Sequence, residues 1–207
     1  FVFEMPQQSS TFYKKSIKKW RKNDEFIPNL HLDLASHLLS LVYYFFNQMP
    51  KNVNGFEAKN KKYIENAFTW LKFEKFTGQF WFSKNSTGKK NELSIRIFGS
   101  NGSIEWKHSN HEEIVFSDNK GNINIINRLS QNTKYLKNKD LFTYSAGHPG
   151  GFLDAFINIY EFISKLFHKK KIDPKILINL KTNYNIIKVL DKIHYSSIKK
   201  SWQKVSL

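Results

Sequence analysis

The sequence has no cysteine in 207 residues, which excludes disulfide staples and cysteine-ligated zinc and fits a reducing compartment. It also lacks an apolar run long enough to span a bilayer. The longest such stretch, NLHLDLASHLLSLVYYFF from Asn29 to Phe46, is interrupted by Asp33 and His37. No secretory leader is apparent, so the expectation is a soluble, cytoplasmic protein without a membrane partner. Acidic residues are scarce, 17 against 33 Lys and Arg, for a net charge of +16. A basic surplus suits phosphate backbones, and an aromatic within the densest cluster, Trp20 between Lys14 and Lys22, could stack on a base. Lysine pairs nevertheless recur at Lys61-Lys62, Lys89-Lys90, Lys169 to Lys171 and Lys199-Lys200, and mark no single face. They read as solvated surface, and no nucleic-acid partner is expected. A G-x-G-x-x-G turn between a strand and a helix is missing as well, which closes the usual route to a dinucleotide. Gly99 and Gly102 read as a hairpin turn, and Gly88-Lys89 lacks the rest of a phosphate loop.

What is present argues for a folded chain: 40% hydrophobic and 16% aromatic residues can build a core, most simply one domain over residues 1–207. Phe1 to Met5 reads as a strand at the very start of a chain without an initiator methionine, so the expectation is the C-terminal part of something longer. Pro6 to Pro28 is polar and basic and reads as a long loop. A helix is predicted over Leu30 to Asn47, with Pro50 ending it. Short strands follow over Lys61–Lys75, Gly78–Ser83, Glu92–Phe98, Ser103–Lys107, Glu113–Ser117 and Asn122–Asn127, separated by turn signals such as Gly99-Ser100-Asn101-Gly102 and Asp118-Asn119-Lys120-Gly121. A loop from Leu129 to Gly147 leads to helices over Phe152–Phe167 and Asn183–Lys199 and a terminal strand Trp202–Val205. Phe152, Phe156, Ile159, Ile163 and Phe167 recur at helical spacing and are expected to face a core. Helices bracket the strands instead of alternating with them. That pattern predicts an α+β fold, an open, mainly antiparallel sheet with helices on one face.

Two constellations carry chemistry. Asp33 and His37 are four residues apart, which puts them on one helix face about a turn apart, where a carboxylate can fix an imidazole's tautomer and leave its other nitrogen free to exchange a proton. The competing reading is a self-satisfied core pair, since buried polar groups need partners. His31, just upstream, reads as a surface or cap residue. No third ligand sits at metal spacing, so no metal is expected. His148-Pro149-Gly150-Gly151 opens a helix, either as simple punctuation or as a helix N-terminus suited to an oxygen-rich ligand.

The stretches FVFEMPQ, WRKNDEFIPNLHLDLASHLLSL, IRIFGSNGSIEW and AGHPGGFLDAFINIY, with the closing helix and strand, occur in an order and spacing that resembles the C-terminal domain of the Gfo/Idh/MocA oxidoreductases. The resemblance covers nearly the whole chain. It places the family's D-x-x-x-H motif on Asp33 and His37, and implies that His37 lies beside substrate and assists proton transfer while Asp33 orients it. It further implies a substrate of sugar, polyol or related carbohydrate type, and NAD or NADP bound mainly by a preceding Rossmann domain that this chain lacks. An open sheet used for homo-oligomer contacts is implied too. On this reading the chain is the substrate-binding half of an NAD(P)-dependent oxidoreductase, inactive alone. Arg21 is a candidate for reaching a substrate oxygen, against the plainer reading of a basic loop residue, and His148 is a second substrate-binding candidate. The alternatives are a non-catalytic oligomerisation module of the same fold and a basic nucleic-acid-binding domain.

Overall fold

A computed structural model of the chain describes residues 1–8, 26–60, 63–130, 148, 150–171 and 179–207. The chain begins with β1 (Val2–Pro6), then enters a π-helical turn (His31–Ala35) that runs directly into α1 (Ser36–Phe46). Seven strands follow: β2 (Asn52–Asn60), β3 (Tyr63–Lys72), β4 (Thr77–Ser83), β5 (Ser94–Gly99), β6 (Gly102–Lys107), β7 (Glu113–Asp118) and β8 (Ile123–Asn127). The helices α2 (Phe152–Phe167) and α3 (Leu180–Lys199) and a short β9 (Gln203–Lys204) complete the order.

The described strands form one nine-stranded sheet in the order β8-β7-β6-β5-β1-β4-β3-β2-β9. Only the β1–β4 pairing is parallel; β1 also lies antiparallel to β5, so the first strand sits at the sheet's centre. The α+β class and the open, mainly antiparallel sheet are as the sequence leads one to expect. The hairpin chemistry is local. Gly102 adopts φ 151°, and the Asp118 carboxylate accepts hydrogen bonds from the Lys120 and Asn122 N–H groups at 2.9 Å, holding the turn whose Gly121 has φ 88°.

Over the half of the sheet formed by β1 to β4, one face is covered by α1 and α3. Gly55, Thr69, Phe80 and Phe3 are cross-strand neighbours in one row. At one end of that row a Cβ on Gly55 would meet the Ile193 carbonyl oxygen of α3 at 2.5 Å, and at the other Phe3 packs edge-on against Phe45 of α1. Leu34, Leu38, Leu39 and Val42 meet Val189, Leu190 and Ile193 in this fully buried layer. Phe46 packs tilted against Phe76 at 4.9 Å, and Phe73 stacks on Phe76 at 4.4 Å, which pins the end of α1 to the β3–β4 turn.

Three elements depart from the sequence reading. The region before Lys61 contains a full strand, β2, that the sequence did not announce. The third helix starts at Leu180, because Asn179 caps it by accepting the Thr182 N–H at 2.8 Å. In α2, the face carrying Phe152, Phe156, Ile159, Ile163 and Phe167 is largely exposed, and the buried member is Phe162. An apolar stripe shows that a helix seeks cover; it does not say where the cover comes from.

Candidate functional site

The motif helix starts with Pro28, whose carbonyl accepts the His31 and Leu32 N–H groups. A π-helical turn follows, closed by the Ser36 N–H donating to the His31 carbonyl. Such turns insert a residue into the helical ladder and recur at functional sites. Asp33 lies inside the turn and His37 in the first turn of α1, so the motif straddles the change of helical type.

His37 is exposed and Asp33 partly so. Neither is the deeply buried polar residue that their leucine-rich surroundings suggest. One partner of Asp33 is Lys84, which follows β4: its Nζ is 2.5 Å from Oδ2, with the two side chains 24% and 27% exposed. The buried polar residue is His31, expected at the surface or a cap and in fact completely covered. Positions 31, 34, 35, 38, 39 and 42 form the stripe that faces the sheet, and His31 simply continues it upstream.

Beneath the motif, His31 Nε2 lies 2.7 Å from Glu57 Oε1 of β2 as an ion-pair contact. His194 Nδ1 of α3 lies 3.0 Å from both Glu57 oxygens. The His31 ring packs edge-on to Phe82 at 5.1 Å. Burial pushes the Glu57 carboxyl's pKa up, but hydrogen bonds and charge from His194 and His31 together outweigh it, and the group is held below its ordinary value. This buried imidazole–carboxylate–imidazole group ties the start of the motif helix to β2 and to α3. Sequence reading missed it; the continuing apolar stripe was the one available signal.

The other candidates are placed less informatively. Arg21 lies outside the described residues, and His148 is exposed. At the head of α2, Gly151 has φ 129° and its N–H donates to Asp154 Oδ2 at 2.8 Å, so a carboxylate of the chain itself already serves that helix N-terminus. Among the described residues no group of three or more His, Asp or Glu is arranged to hold a metal ion. Gly88, Gly102 and Gly121 occupy turns beside strands, and the Gly151 N–H is taken by Asp154. No described helix is long and apolar enough to cross a membrane.

The profile of the oxidoreductase family's C-terminal alpha/beta domain matches residues 3–204. The chain belongs to the Gfo/Idh/MocA oxidoreductase family. Its fold recurs in solved structures of oxidoreductases and dehydrogenases. An oxidoreductase from Sinorhizobium meliloti superposes with a TM-score of 0.77 at 19% identity, over 98% of this chain and 56% of that one. An inositol dehydrogenase homologue from Azotobacter vinelandii, complexed with NADH and myo-inositol, gives 0.77 at 17% identity, over 98% and 56%. A levoglucosan dehydrogenase complexed with NADH and L-sorbose gives 0.77 at 17%, over 100% and 58%. The chain therefore spans less than two thirds of the length of these structures. No curated protein sequence matches it.

Proposed function

We propose that this chain is the substrate-binding and proton-transfer half of an NAD(P)-dependent oxidoreductase acting on a hydroxyl or carbonyl of a sugar, polyol or related carbohydrate. The observation that carries the reading is the placement of His37. It is exposed on the first turn of α1, one turn beyond a carboxylate held in a π turn, in the D-x-x-x-H spacing of the family to which the chain belongs. Support comes from structural neighbours whose complexes contain NADH together with myo-inositol or L-sorbose.

His37 takes the hydroxyl proton as an alcohol is oxidised and returns it in the reverse direction, and Asp33 orients the ring for that exchange. A nicotinamide cofactor supplies hydride transfer in such chemistry, and its binding is proposed for a further domain of the complete enzyme. Arg21 and His148 are proposed substrate contacts. The sheet face away from α1 and α3 is proposed as a contact between copies. It bears Phe56, 65% exposed, and Trp70, with Phe68 stacked on Trp81 at 6.1 Å.

The reading is tested in the complete enzyme. His37→Ala is expected to lower turnover by about 10²–10⁴, the usual contribution of general acid–base catalysis. Its melting temperature should stay near wild type, since an exposed side chain fills no core. Near-normal turnover in His37→Ala would end the assignment.

A further inference from the structure

His31 is the one polar residue in the stripe by which the motif helix rests on the sheet. Leu34, Ala35, Leu38, Leu39 and Val42 make up the rest, and a leucine at position 31 would extend them at no polar cost. The chain instead buries an imidazole completely, against a carboxylate that is itself only 5% exposed. A buried ion pair is a poor device for stability, since apolar residues of similar volume do as well or better. Its advantage is direction. Leucines on a sheet tolerate small slides and rotations of a helix, whereas the 2.7 Å contact from His31 Nε2 to Glu57 Oε1 is met at one placement only. Glu57 is fixed in its turn from behind: His194 Nδ1 of α3 lies 3.0 Å from both its oxygens, and its strand pairs with β3 opposite Ala67.

This anchor is joined to His37 by hydrogen bonds of the backbone. The His31 carbonyl accepts the Ser36 N–H across the π turn, and Ser36 immediately precedes His37. The Ser36 hydroxyl donates to the Leu32 carbonyl at 2.7 Å and closes the same turn a second time. The residue that the carboxylate holds and the residue that leads into His37 are thus the two ends of one hydrogen-bonded turn. We infer that His31 is a positioning residue for the reaction: Glu57, backed by His194, holds its ring, and through the π turn this sets the height and rotation of His37 relative to the substrate. The inference rests on the proposed role of His37. It goes beyond that role in giving a completely buried side chain, out of reach of any substrate, control over turnover.

The test uses the complete enzyme, with rates taken per folded molecule well below each melting temperature and His37→Ala as reference. His31→Leu continues the apolar stripe but gives up the contact to Glu57. It is expected to lower kcat about tenfold, within the loss that a small misplacement of a catalytic group brings, while KM changes less than about twofold. His31→Gln, whose amide N–H can reach the same carboxylate, should recover most of the loss. Gly55→Ala is the control for a plain loss of stability: it strains β2 against α3 without touching the motif helix, and should leave kcat within about twofold of wild type. Should His31→Leu fold poorly, Glu57→Gln weakens the same contact from the other side and should show the same fall in kcat at a steady KM. An unchanged kcat in His31→Leu, an effect on KM alone, or no recovery in His31→Gln overturns the inference. An equal loss of kcat in Gly55→Ala does so too, since it would make His31 one stabilising residue among others. If His37→Ala is inactive while His31→Leu turns over normally, only the positioning role fails. If His37→Ala is fully active, the reading of the site and the inference fall together.

Discussion

Glu57 is the carboxylate on which two histidines of the fold, His31 and His194, converge. Its side chain is only 5% exposed and it faces two imidazoles, so replacing it leaves His31 and His194 without their shared acceptor. Its carboxyl titrates in the fold below the ordinary glutamate value of 4.5. A depressed carboxylate contributes stability that is fully present above the unfolded value and is lost as pH falls through the folded one. Thermal melts should therefore show the wild-type chain losing stability more steeply below about pH 4.5 than Glu57→Gln does. Near neutrality Glu57→Gln should be the less stable by roughly 1–3 kcal/mol, the worth of hydrogen bonds to a charged group. Parallel acid limbs for the two proteins would remove Glu57 from the account. The D-x-x-x-H spacing can be read at a glance, because both residues lie on one short segment. Glu57, His194 and Lys84 are not legible in the same way: each reaches the motif helix from a strand or helix remote in sequence, and no local periodicity encodes such a meeting.

At the scale of elements, β2 explains why sequence reading fails where it does. Its inward positions are Val53, Gly55 and Glu57, so the alternation that marks a strand carries a glycine and a carboxylate where apolar side chains are expected. Tertiary needs override the pattern. Gly55 is required because α3 passes so close, and the Gly55 N–H donates to the buried Ser196 hydroxyl of that helix at 3.0 Å. Gly55→Ala should cost about 1–3 kcal/mol, as overpacking of a tight contact does. Gly99→Ala, whose Cβ would meet only the Gly102 oxygen at 3.6 Å, should stay within about 0.5 kcal/mol of wild type. Denaturant midpoints of the two variants check this directly, and equal midpoints would mean that α3 yields freely to β2. The strands from β4 to β8, by contrast, are bounded by turn residues whose backbone demands are local, and their existence is readable. The π turn is not. Nothing in HLDLA separates it from the first turn of an ordinary helix.

The whole molecule presents two unlike faces. Over the β1 to β4 half of the sheet, one is covered by α1 and α3; the other exposes an aromatic strip of Phe56, Phe68 and Trp70 that a monomer rarely leaves to water. Sedimentation of the 24.5 kDa chain at tens of micromolar, roughly the range of modest interfaces, should give a dimer or larger species. Trp70→Lys should shift it to monomer without lowering its melting temperature, and a wild-type monomer at that concentration would refute the contact. The sheet's strand order has a further consequence for assembly of the fold in time. Strand β1 leaves the ribosome before the other strands of the sheet, yet its neighbours are β4 and β5, whose registers extend to Ser83 and Arg96. The hairpins β2–β3 and β3–β4 close from nearby segments, and their cost in loop entropy is small. The middle of the sheet therefore waits. During synthesis the hydrophobic segment from Val2 to Pro6 stays unpaired until β4 and β5 have followed it, and the seam between the two halves of the sheet closes only after the hairpins beside it.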